Sequence, residues 1–200
     1  MFAQVIDGTI TSFPKGNKGI QIGDLKYSAT IYTLWTEAER NAIGIYTVEI
    51  DETNRKDETW YINTDISYAF GSGKVTGSYG TATAKAIADA NAKDENGDDL
   101  DPVEVIKGLK TQYKDNFNAQ AAGLLAPTDW YVVKATEVSD YTVPSAITTY
   151  RAAVRTKINA METAIDNCAN VDALITLLTY TTDSDGVSSR PLGEFPEEVV

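Results

Sequence analysis

Residues 124–134 read LLAPTDWYVVK, and this stretch decides how the second half of the chain is organised. The apolar residues that lead into it recur at the spacing of one helical face. They are Ile106, Leu109, Tyr113, Phe117, Ala121 and Leu124. Pro127 interrupts that helix. Trp130 then follows a helix end, where we expect it to fold back between two antiparallel helices, with residues 131–134 as a short extended run.

A second helix is predicted downstream, with Pro144 in its first turn. Its apolar positions repeat every three or four residues, close to the seam of a coiled coil. They are Ile147, Tyr150, Val154, Ile158, Met161, Ile165 and Cys168. A short third helix is predicted over residues 171–178. The pattern therefore predicts a C-terminal helical hairpin or three-helix unit over residues 103–180.

The first part of the chain predicts a small antiparallel β-rich domain over residues 1–91. Two alternating runs meet at Asp7 and Gly8, a pair that favours a type I′ hairpin turn because both positions take a positive φ. Residues 28–35 and several later runs of β-branched and aromatic residues predict further strands. Thr36 and Glu39 have the spacing of a capping box, which predicts a short helix. The predicted fold class is therefore α+β.

The net charge of −12 is concentrated in two segments. Residues 92–102 are acidic, contain Gly97 and Pro102, and predict an acidic linker between the domains. Residues 181–200 predict an extended C-terminal tail. Its Leu192 and Phe195 suit either an arm that docks on a neighbouring protein or packing on the chain's own domain.

Composition argues against several classes of function. The chain has no histidine and a single cysteine, Cys168, which excludes histidine-based catalytic triads, an internal disulfide and cysteine-ligated zinc. The DENGDD and DSDG segments lack the acidic residue that a calcium loop needs at its twelfth position. No basic patch suits nucleic acid and no apolar run suits a membrane span. We expect no cofactor, metal, nucleic-acid or membrane partner and no enzymatic activity, although acid–base chemistry by paired carboxylates stays open.

Two arginines lie in the predicted second helix, after the stretch that contains Pro127 and Trp130. Arg151 and Arg155 are four residues apart and share one face of the predicted second helix. The favoured interpretation is that they pair with Asp129 or bind carbonyls at a helix end, and the alternative is contact with a partner's acidic surface. Thr128 or Asp129 is expected to accept hydrogen bonds from nearby backbone N–H groups.

The order of these residues resembles the C-terminal module of tail assembly chaperones and tail-fibre accessory proteins of tailed bacteriophages. In that module a helix ending in Leu-Leu leads into Thr-Asp-Trp, and a second helix opens with Tyr-Arg and carries another Arg four residues on. The matching residues are Leu124, Leu125, Thr128, Asp129, Trp130, Tyr150, Arg151 and Arg155. The resemblance covers residues 105–165. The N-terminal part looks, more loosely, like structural proteins of marine and cyanobacterial phages.

The resemblance implies a non-enzymatic structural component of a phage tail, baseplate or fibre attachment site, acting through protein–protein contacts. Its expected partners are other tail proteins and further copies of the chain. Its expected location is the virion tail, after assembly in the host cytoplasm. The first alternative is a dissociable tail-fibre assembly chaperone. The second is a carbohydrate-binding or carbohydrate-acting module at the fibre, which requires exposed rings at Trp35 and Trp60.

Overall fold

The computed structural model describes residues 1–198 and divides the chain into two compact units, Met1–Ala84 and a second that begins at Lys85. Strands dominate the first unit and helices the second, which confirms the predicted α+β class. The sequence predicts the end of the first domain at residue 91, and the structure places it at Ala84. None of the helices within residues 1–198 has the length and apolar character needed to cross a bilayer.

The first unit contains nine strands and two short helices among its residues. The strands are β1 (Phe2–Ile6), β2 (Thr9–Ser12), β3 (Ile20–Ile22), β4 (Leu25–Tyr27), β5 (Ile45–Asp51), β6 (Tyr61–Ile62), β7 (Ile66–Gly71), β8 (Lys74–Tyr79) and β9 (Thr83–Ala84). The helices are α1 (Ile31–Leu34) and α2 (Glu37–Ala42). Five of the strands form one sheet in the order β2-β1-β5-β8-β7, and the others pair two by two, β3 with β4 and β6 with β9.

The main sheet follows the predicted hairpin and then departs from a purely antiparallel pattern. β1 and β2 are antiparallel, and Asp7 and Gly8 between them have φ values of 50° and 75°, as a type I′ turn requires. β5 and β8, however, run parallel. The reason is that the antiparallel β7–β8 hairpin adds to β5 through its second strand, which leaves β7 at the edge. Such non-local pairing leaves no local signal in the sequence.

Residues 28–35 were predicted to form a strand, and that prediction is wrong. They contain α1, a single helical turn in which the adjacent residues Ile31 and Tyr32 are both buried against Ile45. Two successive buried side chains do not fit the alternation of a strand with one covered face. The capping box that follows is confirmed, since Glu39 N–H donates to Thr36 Oγ1 at 3.3 Å and Thr36 N–H donates to the Glu39 carboxylate at 2.7 Å.

The second unit is built on two long helices that pack against each other. Its helices are α3 (Leu109–Leu125), α4 (Asp129–Glu137), α5 (Ser145–Asp166) and α6 (Val171–Leu178), with a 3₁₀ turn at Ala126–Thr128 between α3 and α4. Every predicted apolar position of the second helix, from Ile147 to Cys168, is buried. The third predicted helix is confirmed as α6. One position of the first helix was wrong, because Ile106 precedes α3 and is exposed.

The acidic segment 92–102 is a hairpin rather than a linker. It lies between two short antiparallel strands, β10 (Ala90–Asn91) and β11 (Val105–Ile106), with an isolated bridge between Lys93 and Asp99. The Asp94 carboxylate accepts hydrogen bonds from the backbone N–H groups of Asn96 and Asp98, each at 2.9 Å. Backbone pairing and this turn therefore give the segment a defined shape despite its charge.

The C-terminal segment begins with another hairpin, β12 (Thr181–Thr182) with β13 (Ser188–Ser189). Leu192 is then buried within its own unit, since its N–H donates to the Leu177 carbonyl at 3.1 Å and its carbonyl accepts from Lys157 Nζ at 2.6 Å. Phe195 is half-buried. The prediction of a docking arm at Leu192 is therefore corrected to packing on the chain's own helices. The last two residues of the predicted tail, 199 and 200, lie outside the described residues.

Candidate functional site

The end of α3 is held by a buried arginine from α5. Helix ends leave backbone carbonyls without intrahelical partners. Arg151 Nη1 donates to the Leu125 carbonyl at 3.0 Å and to Thr128 Oγ1 at 2.6 Å. Thr128 is itself buried, and its hydroxyl donates to the same Leu125 carbonyl at 2.8 Å. A cation at a helix C-terminus also interacts favourably with the helix dipole.

The same guanidinium reaches the start of the next helix. Arg151 Nη2 lies 2.7 Å from the Asp129 carboxylate, in the first turn of α4. Only 7% of Arg151 is exposed, so its several donors satisfy a buried arrangement of acceptors. The favoured interpretation of Arg151, pairing with Asp129 and binding helix-end carbonyls, is therefore confirmed. The prediction that Thr128 or Asp129 accepts hydrogen bonds from backbone N–H groups is wrong, because both side chains accept from the Arg151 guanidinium instead.

Tyr150 completes the contact between the two helices. Its hydroxyl donates to the Leu124 carbonyl at 3.3 Å, one residue before the carbonyl that Arg151 binds. Burial raises the pKa of the Tyr150 hydroxyl, and the charge of Glu198 raises it further. Tyr150 therefore acts as a neutral donor, and together with Arg151 it ties α5 to the C-terminal end of α3.

Trp130 does not occupy the groove between α3 and α5, and this prediction is wrong. It lies in the first turn of α4, and 52% of the residue is exposed. Its ring stacks on Tyr131 with a centroid distance of 3.9 Å, and Lys134 Nζ lies 5.7 Å from its centroid. The predicted extended run 131–134 is part of α4. Because the helix restarts at Asp129, the indole points away from the contact that Arg151 makes.

Arg155 lies one turn beyond Arg151 and borders a shallow groove. The groove has a volume of about 280 Å³ and is lined by Val132, Val143, Thr148, Arg151 and Arg155. Arg155 is exposed and forms no ion pair or side-chain hydrogen bond within residues 1–198. The two arginines therefore differ: one is buried between helices, and the other is a free cation beside apolar side chains.

Neither Cys168 nor the potential metal-ligating side chains form a second site within the described residues. Burial raises the pKa of the Cys168 thiol, which disfavours a thiolate nucleophile, and the residue is buried just after the end of α5. Residues 1–198 contain no cluster of three potential metal-ligating side chains. Trp35 is partly buried and packs edge-on against Tyr27, and Trp60 is also partly buried.

The structure thus joins most of the residues that the sequence singled out. Those that contribute to the junction are Leu124, Leu125, Thr128, Asp129, Tyr150 and Arg151. Trp130 and Arg155 lie outside it. Sequence reasoning missed Val132 and Val143 of the groove, although helical spacing through residues 129–137 is a signal that would have placed α4 there.

The chain matches no protein-family model, no curated protein and no solved structure. The resemblance to the phage module therefore rests on the residues described above.

Proposed function

We propose that this chain is a non-enzymatic structural component of a bacteriophage tail, at the tail, baseplate or fibre attachment site, and that it works through protein–protein contacts. The observation that carries the proposal is the junction at Arg151. Residues far apart in sequence that match the phage module meet in one buried hydrogen-bonded arrangement. A motif that supports a rigid helical scaffold suits an assembly component.

The surface around the junction supports the same proposal. Val132 of α4 and the Arg155 guanidinium of α5 are exposed beside one groove, and Trp130 is exposed elsewhere on α4. Tryptophan and arginine are enriched among the residues that contribute most to protein–protein binding. A carbohydrate site at Trp35 and Trp60 is not favoured, because a flat exposed aromatic platform is absent at both rings.

Mass spectrometry of purified particles tests this proposal. The particles come from a tailed phage whose genome encodes the chain, and the expected result is the chain at a fixed ratio to a known tail protein. The control is the lysate that remains after particles are removed. Absence from the particles together with abundant free chain in the lysate would favour the dissociable fibre chaperone instead.

A further inference from the structure

The second unit carries two exposed apolar surfaces of opposite charge at the two ends of α3. The first, which we call the acidic hairpin, is residues 90–106 and precedes α3. The second, which we call the arginine groove, is the groove lined by Val132, Val143, Thr148, Arg151 and Arg155, and it follows α3. Each surface combines exposed apolar side chains with charged side chains that form no ion pair within the described residues.

The acidic hairpin exposes both acids and large apolar residues. Residues 94–101 include five acids and no base. Asp94 binds backbone N–H groups and Asp99 pairs with Lys93, whereas Glu95, Asp98 and Asp101 form no ion pair within the described part of the chain. Beside the acids, three apolar side chains are 53–61% exposed: Val103, Val105 and Ile106. Contiguous exposed apolar residues of this kind are typical of contact surfaces.

The arginine groove has the complementary character. Residues 141–161 contain Arg151, Arg155 and Lys157 but no acid, although the whole chain has a net charge of −12. The Asp129 carboxylate beside the groove is engaged by Arg151, and Lys157 binds the Leu192 carbonyl. Arg155 is left as the free cation. Val132 and Val143 supply the apolar part of the groove, and Val132 is 40% exposed.

The two surfaces adjoin opposite ends of α3, and neither Glu95 nor Asp98 forms an ion pair with Arg155 within residues 1–198. α3 has 17 residues, so at about 1.5 Å per residue its ends are about 25 Å apart. The long α5 packs along α3 and keeps the helix in place. An interface between the two surfaces therefore joins two copies, either reciprocally in a two-fold dimer or repeated from copy to copy in a ring or filament.

We propose that the acidic hairpin of one copy binds the arginine groove of the next, with Glu95 and Asp98 close to Arg155 and the apolar residues of β11 against Val132 and Val143. The occupant of the groove is thus a second copy of this chain. The proposal rests on the assembly role proposed above, and it names the contact by which copies associate. Because the attraction includes exposed charges, association weakens as salt concentration rises.

Charge reversal in purified chains tests the contact without any phage particle. Light scattering coupled to size-exclusion chromatography is expected to show wild-type assemblies larger than the 21.7 kDa chain. Arg155→Glu alone and the pair Glu95→Lys with Asp98→Lys are each expected to weaken association by about tenfold or more, since like charges then face each other. All three positions are exposed, and circular dichroism confirms that each variant is folded.

Mixing the two variants gives the decisive outcome. The unaltered hairpin of the Arg155→Glu copy meets the unaltered groove of the lysine variant, and the two reversed surfaces also carry opposite charges, so an equimolar mixture is expected to recover the larger assemblies that neither variant forms alone. Combining all three substitutions in one chain is expected to restore the larger assemblies. A second variant without charge change, Val132→Ser, is expected to weaken association as well.

The proposal is overturned if the wild-type chain is monomeric at low salt and high concentration, or if it assembles and the charge reversals leave assembly unchanged. Either result concerns the contact between copies alone. The presence of the chain in particles is measured separately, so failure of this contact and failure of the proposed tail role are distinguishable.

Discussion

The two sides of the helix junction at residues 125–130 are built differently. On one side, the buried Arg151 guanidinium binds a helix-end carbonyl, a hydroxyl and a carboxylate. On the other side, Trp130 leaves half of its surface exposed to solvent. The difference shows what a junction between helix ends requires. Such an end presents several acceptors, which a guanidinium with five donors satisfies and an indole with one N–H does not.

Among substitutions at the junction, removal of the Arg151 side chain is expected to lower the stability of the protein most. Arg151→Ala leaves the Leu125 carbonyl and the Thr128 hydroxyl without their cationic donor, and we expect a loss of about 3 kcal/mol in the free energy of unfolding. The contact with Asp129 adds little, because that carboxylate is largely exposed. Urea denaturation followed by far-ultraviolet circular dichroism measures the loss. The matched control is Arg155→Ala, for which the expected change is within about 0.5 kcal/mol. Equal losses for the two arginines would contradict the distinction between them.

A smaller loss is expected from Thr128→Val, which keeps the side-chain shape but removes the hydroxyl. The buried hydroxyl both donates to the Leu125 carbonyl and accepts from Arg151. Its removal is expected to cost about 1–2 kcal/mol. Thr128→Ser is the control, since it keeps the hydroxyl and should lose clearly less than the valine variant in the same denaturation assay. A serine variant as unstable as the valine variant would show that packing, and not hydrogen bonding, matters here.

Substitution of Trp130, on the other side of the junction, is expected to leave the stability of the protein nearly unchanged. Trp130→Ala removes an exposed ring, so we expect the free energy of unfolding to change by about 0.5 kcal/mol or less. Urea denaturation under the conditions used for Arg151→Ala measures the change. A loss as large as that of Arg151→Ala would mean that Trp130 is part of the core after all.

At the N-terminal end of α3, by contrast, the hydrogen bonding is expected to make stability depend on pH. Gly108 precedes α3 and supplies no side-chain cap, and the Asp89 carboxylate instead accepts from the Gly108 N–H at 2.8 Å. Hydrogen bonds from the Thr111 side chain and from the Gly108 backbone lower the pKa of Asp89. A lowered pKa contributes stability that is fully present above the ordinary aspartate pKa and is lost as the pH falls through the folded value.

Asp89→Asn is therefore expected to flatten the acid side of the stability curve by a small amount. Denaturation midpoints between neutral and acidic pH measure it, with Asp115→Asn, an exposed aspartate within α3 itself, as the control. If the aspartate and asparagine forms lost stability in parallel on acidification, the Asp89 carboxylate would not be the group that titrates.

The sequence predicted the second unit well because its signals are local. The stripe from Ile147 to Cys168 repeats within each helical turn, and every one of its positions is buried. The short helix α6 was also predicted with its observed ends. The strand predicted over residues 28–35 is wrong. β-Branched and aromatic residues favour strands in general, but here one turn of helix buries Ile31 and Tyr32. The prediction of a linker over residues 92–102 is wrong for a similar reason. The composition is that of a linker, but the flanking strands pair as a hairpin.

By itself the sequence determined the fold class, the buried face of α5, the β1–β2 hairpin turn and the helix cap at Thr36, because each depends on residues within a few positions of one another. Only the tertiary structure decided that β5 and β8 run parallel, that Leu192 packs on its own unit, and that Arg151 rather than Trp130 occupies the junction. Arg151 lies 26 residues from the Leu125 carbonyl that it binds. A contact across that separation is selected by the packing of whole helices, which decides which side chain reaches an unsatisfied carbonyl and which is left in water.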